Sequence, residues 1–489
     1  MSAANSFPLQ KSDPSTLLDD SRYEAWTQLL DQHNDILRTA SSEGTEASKT
    51  RHQSRGQLLA RDRVSLLLDQ HSPFLELCAL AGHGLDSSSP SASLVAGIGT
   101  VSGKLCLILS HIPTLSGGAW NELTVLKQNR VTQVAGENNL PIVALVQSAG
   151  VFLPQQFRVF HKGGQIFRDL AVFLGGPPLV KMATGEVVDA ETLGGANMHG
   201  SVTGLADQVA SDGFDAIRKA RDWVNTLNVP TVDRRSVPQA LPPRYSSDEL
   251  LYIVDPDICK SLNIREVLLR IVDDSRWLEY KPEFGQNIVT SWATIHGHRV
   301  GMIANSVPVI NAKEAMKDAT FIKLCNQQNT PIVFFHNVTG FMVGAKAEQS
   351  AIIKHGAQLV SAVSCSKVPH LSIIVGASYG AGNYAMCGRA YQPRFLFSWP
   401  SGRCSVMGPD QLVGVMQSIG KSGARNSKPG DELRDEVLRD GSCYRTSSVL
   451  LDDGVIDPRD TRDILGLCLD TVASTEIQGA ESCQGLARL

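Results

Sequence analysis

Between Ile373 and Phe397 the stretch IIVGASYGAGNYAMCGRAYQPRFLF interrupts an apolar run with Gly376, Gly380 and Gly382 and then resumes as a helix-like segment. Glycines at a strand end let the backbone approach a ligand closely and take positive φ. N–H groups left unpaired there converge on negative charge. Such a loop suits the binding of a negatively charged group. No Glu or Asp lies between Gly376 and Phe397, so the loop carries no side-chain base of its own. His296, His298, His336 and His355 stand singly near apolar runs and read as structural. Asp452 and Asp453, directly before Gly454, read as a turn rather than an acid dyad.

The elements that must position such a loop occur twice. GTVSGKLCLILSHIPTLSGGAW begins two β-rich runs and a helix, followed by Asn139-x-Pro141-Ile142-Val143 and a strand ending at Gly150. ATIHGHRVGMIANSVPVINAKEA begins the same order, with Asn329-x-Pro331-Ile332-Val333 and a strand ending at Gly340. Both Pro-to-Gly intervals are nine residues, so two similarly built α/β domains of ββα units follow. The copies then diverge: Gly150 to Gly185 spans 35 residues and Gly340 to Gly408 spans 68, a shortfall of 33 in the first half. What is missing lies where the second half has its Gly-rich loop.

A Pro- and Ser-rich stretch from Leu227 to Leu250 is the candidate linker, giving an N-terminal extension at 1–50 and domains at 51–235 and 236–489. The extension is expected to be a helix followed by a flexible polar joint. SRGQLLARDRVSLLLD reads as an ordinary packed helix. A formal net charge of -4 and 19% charged residues provide no basic field for nucleic acid. Ten scattered cysteines without a Cys-x-x-Cys pair read as reduced intracellular thiols, with no metal site. No apolar stretch approaches the roughly 20 residues of a spanning helix. Ala487-Arg488-Leu489 has the form of a peroxisomal signal, with mitochondrion or cytosol as alternatives.

The motifs SRGQLLARDRVSLLLD, LGGPPLVKMATGE, LGGANMHGSVTGLAD, NVTGFMVG, GASYGAGNYAMCGRAYQPRFLF and DDGVIDPRDTRDILG together resemble the carboxyltransferase (beta) subunits of biotin-dependent acyl-CoA carboxylases, most of all the methylcrotonoyl-CoA type. The resemblance implies two tandem crotonase-like domains in an oligomer, the first holding acyl-CoA and the second carboxybiotin carried by a separate alpha subunit. It implies transfer of CO2 to the γ-carbon of a branched, unsaturated acyl-CoA, with charge developing first on the ureido oxygen and then on the thioester oxygen. Carried over, the backbone amides of Ala377 and Ser378 serve the ureido oxygen, with Tyr379, Gly380, Ala381 and Gly382 shaping the turn. Gly340, Phe341 and Val343 line the biotin pocket, and Ser148, Ala149 and Gly150 lie on the acyl-CoA side. Ala377 and Ala149 replace usual glycines and Gln147 a usual Asp, while the thioester-side loop falls in the shortfall.

Two alternatives stand beside this reading. A crotonase-type hydratase or hydrolase would use the same oxyanion logic with a carboxylate base. A non-catalytic paralogue or regulatory subunit would explain the lost loop. Ala315-Met316-Lys317 has the form of a biotinyl attachment site, but that site belongs to a separate β fold, and Lys317 is expected as an exposed helix lysine.

Overall fold

The computed structural model describes the chain except residues 1–6, 14–15, 17, 87–88, 170–180, 183, 190–191, 194, 196–197, 230–239, 421–429 and 480–489. The Gly-Gly-Pro-Pro stretch at 175–178, much of the linker and the C-terminal tripeptide thus lie outside the described residues. The chain forms two compact units, one of residues 42–76 and 88–231, the other of residues 1–41, 77–87 and 232–489. The helix Asp20–Ala40 therefore counts with the second unit, where Trp26 is fully buried and its Nε1 donates to the Val254 carbonyl at 2.9 Å. The polar stretch that follows is not a loose joint. Thr45 caps the helix Glu46–Gln53, and the buried Glu43 carboxylate accepts from the N–H groups of Ala60 and Arg61, both at 2.9 Å. These two donors are otherwise orphaned in the first turn of the helix Ala60–Leu67.

In the first unit β1 (Phe74–Glu76), β2 (Leu94–Val101), β3 (Lys104–His111) and β4 (Ile142–Leu145) form a sheet in that order, with β3 and β4 parallel. The second unit repeats the start with β5 (Trp277–Glu279), β6 (Ile288–Ile295), β7 (His298–Asn305), the short β8 (Val309–Ile310) and β9 (Ile332–Val338). It then continues through β10 (Gly340–Phe341), β11 (His370–Tyr379), β12 (Phe395–Ser398), β13 (Arg403–Ser405) and β14 (Gly454–Val455). Its main sheet runs β14-β12-β11-β9-β7-β6-β5, with β13 alongside β11. β9 is therefore interior, and all its residues are buried. β4, its repeat equivalent, is an edge strand among the described residues, and all four of its residues are only half-buried.

The repeat extends to single groups. Each hairpin turns on two positive-φ residues, Ser102-Gly103 and His296-Gly297, as a tight turn between twisted strands requires. In each, one carboxylate accepts from both turn amides: Asp69 from Ser102 and Gly103 at 2.8 and 2.7 Å, Asp273 from His296 and Gly297 at 3.0 and 2.8 Å. An arginine from the unit's last described helix braces that carboxylate, Arg221 on Asp69 at 2.7 Å and Arg462 on Asp273 at 2.6 Å. The helices Glu122–Glu137 and Ala312–Gln327 are both 16 residues long, and two residues beyond each end the chain turns at Asn139 and Asn329, at φ 50 and 51. Asn tolerates this left-handed closure, which explains the Asn-x-Pro signature.

The same helices correct the reading of Lys317. It is not exposed: Lys127 and Lys317 hold equivalent positions and both are fully buried. Lys317 Nζ donates to the Ile288 and Gly285 carbonyls at 2.9 and 3.3 Å. Lys127 Nζ donates to the Leu94 carbonyl, Ser91 Oγ and the Ser91 carbonyl at 2.6, 2.8 and 3.2 Å. Each ammonium pins the chain entering the first hairpin strand, and burial pushes the Lys317 pKa down. A lysine so enclosed is closed to biotinylation.

Candidate active site

The two turns singled out in the second domain come together at the carboxyl ends of β9 and β11. Gly340 has φ +143 and leads into β10, which pairs with β8 through Gly340–Val309 and Phe341–Ile310. β11 ends at Tyr379, and the helix Gly380–Ala385 starts with Gly380 at φ +53. The contact between the turns is backbone to backbone. A β-carbon on Gly382 would lie 3.1 Å from Gly340 Cα and 3.2 Å from its N, and one on Gly380 would lie 2.8 Å from the Val406 carbonyl. Glycine is required at both positions because of this approach. Phe341 packs its ring over Gly356 and against Ala312, Ala347 and Ile352, while Val343 is 83% exposed.

Ala377 and Ser378 are 2% and 0% exposed, within β11, which is buried throughout. The pairing register between β11 and β9 shifts between Ile374 and Ser378, and the Asn337 carboxamide reaches into that irregularity. Its Oδ1 accepts from the Ala377 N–H at 3.3 Å, and a β-carbon on Gly376 would lie 2.6 Å from it. The Ala377 amide is thus held by the protein, whereas Gly380 is half-buried and Ala381 exposed. Ser378 Oγ accepts from Asn383 Nδ2 at 2.8 Å and lies 2.9 Å from His336 Nδ1. Burial pushes the His336 pKa down to about 3. The neutral ring is therefore a fixed strut between β9, β11 and the helix of Asn383.

Asn337 and Asn383 were not singled out in the sequence. Only their places in NVTG and GAGN pointed to them, because their contacts cross roughly forty and five residues of chain. The remaining histidines are tied down or exposed: His296 to Asp463 at 3.1 Å, His298 to Asp470 at 2.8 Å, and His355 beside Gln358. Asp453 accepts from the Leu396 N–H and from Arg389, and Ser398 Oγ donates to Asp452, so both carboxylates fasten the strand entering β14. Among the described residues no group of three or more His, Cys, Asp or Glu stands ready to hold a metal.

In the first domain, Trp120 and Val151 form an isolated parallel bridge, the counterpart of Ile310 with Phe341. Gly150 has φ +87, its N–H donates to Ser148 Oγ at 3.1 Å, and the Ala149 N–H donates to the Gly117 carbonyl at 2.9 Å. This is the frame of the second-domain turn, and among the described residues no counterpart of β11 and its following helix faces it.

The carboxyl transferase domain family matches residues 51–171 and 168–484, so the match breaks and restarts at 168–171. A probable biotin-dependent acyl-coenzyme A carboxylase beta2 subunit of Mycobacterium tuberculosis is 42% identical, over 96% of this chain and 98% of that one. The aligned length, 520, exceeds the 489 residues here, so that relative has residues without a counterpart. A probable mitochondrial methylcrotonoyl-CoA carboxylase beta chain of Drosophila melanogaster is 40% identical, over 91% of this chain and 89% of its own. The crystal structure of the P. aeruginosa geranyl-CoA carboxylase beta subunit superposes with a TM-score of 0.88 at 33% identity, covering 99% of this chain and 100% of that one.

Proposed function

The chain belongs to the carboxyl transferase domain family, and from that premise we propose that it moves CO2 from carboxybiotin to the γ-carbon of a 3-methyl-branched 2-enoyl-CoA resembling 3-methylcrotonoyl-CoA. The observation that carries the reading is the meeting of the β9 and β11 turns at Gly340 and Gly382, a close backbone cradle without a side-chain base. Carboxybiotin, borne on a partner alpha subunit, supplies the CO2 and a basic ureido nitrogen. Phe341 and Val343 offer an apolar wall for its ring, and the backbone of Gly380, Ala381 and Gly382 closes the other side. The amides of Ala377 and Ser378 act from beneath, with Asn337 holding the first until a ligand oxygen takes its place. His336, Ser378 and Asn383 keep that turn rigid, so the donors are aimed before charge develops. Ser148, Ala149 and Gly150 are the acyl-CoA side of the proposed site, and assembly into an oligomer supplies the facing surface. Ala487-Arg488-Leu489 supports delivery to the peroxisome, and the mitochondrial relative supports the alternative address.

A second reading, a carboxylase-binding subunit that does not turn over, is favoured by the edge position of β4 among the described residues. Reconstitution separates the two. With a biotin-loaded alpha subunit, ATP, bicarbonate and either 3-methylcrotonoyl-CoA or geranyl-CoA, the first reading expects acyl-CoA-dependent carboxylation. A stable complex with no turnover on either thioester would sink it and leave the second.

A further inference from the structure

We propose that Asn337 is a movable cap on the Ala377 amide, and that Asn305 is the seat to which its carboxamide turns when the ureido oxygen of a biotin group takes that amide. The inference deepens the carboxybiotin reading above and rests on it. β7, β9 and β11 lie side by side, and towards their carboxyl ends Asn305, Asn337 and Ala377 form one row. Along it the Ala377 N–H donates to Asn337 Oδ1 at 3.3 Å, and the Asn337 N–H donates to Asn305 Oδ1 at 3.2 Å. These bonds identify both side-chain oxygens, because an exchanged carboxamide would set a donor against a donor.

One donor in the row is left over. Asn305 is 1% exposed, and its Nδ2 has no hydrogen-bond partner among the described residues. A buried donor left unpaired is costly. The bond that caps Ala377 is itself longer than the roughly 2.7–3.2 Å usual for N–H···O. The empty site therefore satisfies one buried donor weakly and its neighbour not at all. Gly376 keeps the resting place open, since a β-carbon there would lie 2.6 Å from Asn337 Oδ1. When a ureido oxygen accepts from the Ala377 N–H, Asn337 Oδ1 is displaced, and Asn305 Nδ2 is the donor within a side chain's reach of it. A turn of the Asn337 side chain then leaves both Ala377 and Asn305 paired. His336, Ser378 and Asn383 need not move, so the strand end stays fixed while the cap changes partner.

Two measurements test the proposal. Crystals of the 489-residue chain grown without biotin are expected to show Asn337 Oδ1 on the Ala377 N–H, and crystals grown with it are expected to show that oxygen within hydrogen-bond distance of Asn305 Nδ2. Biotin bound at the turn with Asn337 still on Ala377 would overturn the inference and leave the functional reading standing. The second measurement is calorimetry with a biotin-loaded carrier domain. Asn305→Ala is expected to weaken binding about threefold to tenfold more with Asn337 in place than in the Asn337→Ala background, the worth of one neutral hydrogen bond. The backbone N–H of residue 337 loses Asn305 Oδ1 in both backgrounds, so a purely structural effect of Asn305 cancels. Equal losses in the two backgrounds would make Asn305 a support only and refute the seat. No binding of free biotin or of the loaded carrier, by the wild type or by Asn337→Ala, would sink the functional reading and this inference together.

Discussion

Gly382 is the residue on which the site's geometry closes. A methyl group there meets Val338 Cγ2 at 2.6 Å as well as the Gly340 backbone at 3.1 and 3.2 Å, and the backbone cannot give way without moving the turn after β9. Overpacking of this kind costs roughly 1–3 kcal/mol. Gly382→Ala is therefore expected to lower the denaturation midpoint by that amount and to weaken binding of a biotin-loaded carrier domain, measured by calorimetry. Unchanged stability and binding would show that the turns do not meet as described. Asp452 carries a separate, pH-dependent cost. Burial raises its pKa from the ordinary 3.8 to about 7, despite the hydrogen bond from Ser398 and the nearby Arg389. The folded chain then holds this proton more tightly than the unfolded one. Stability from this group is greatest below about pH 4, falls as the pH rises towards 7, and levels off above it. Asp452→Asn keeps an acceptor for Ser398 and cannot ionise. Urea melts of the variant are expected to flatten between pH 5 and 8 and to gain on the order of 3 kcal/mol at pH 8.

At the scale of elements, the hairpin, the helix and the buried lysine form one unit used twice. The Asn-x-Pro pair and the nine-residue intervals made this visible in the sequence, because closing a helix at positive φ and starting a strand constrain residue types locally. The braces of Asp69 with Arg221 and Asp273 with Arg462 were not visible, since each joins groups 152 or 189 residues apart. Lys317 was misread for the same reason. A helical lysine is ordinarily solvated, and only the packed hairpin entry shows carbonyls waiting for it. Lys127→Met and Lys317→Met each leave buried acceptors without a donor, at roughly 1–3 kcal/mol per unsatisfied group. Both are expected to lower the urea midpoint, and avidin blots of the unmodified chain are expected to be blank. A gain in stability would mean that desolvation of the ammonium outweighs its hydrogen bonds.

For the whole molecule, the contrast between the two halves decides what the chain can do. The second domain surrounds β9 with strands, and in the first β4 is at the rim among the described residues, with Val146 and Phe157 exposed. Exposed apolar groups beside an open edge favour self-association. Val146→Lys with Phe157→Glu is expected to reduce light scattering of the 489-residue chain while shifting stability by no more than about 0.5 kcal/mol, as for other exposed positions. A loss of several kcal/mol would place these side chains inside a folded interface. The family, the tandem α/β plan, the turns at Gly340 and Gly380–Gly382 and the position of the shortfall were all determined by the sequence alone, because they rest on local conformation and on counting along the chain. Which amides are already engaged and which lysines and carboxylates are buried were decided only by the tertiary structure. Burial and hydrogen-bond partnership depend on residues brought together from distant parts of the chain, and no local pattern records them.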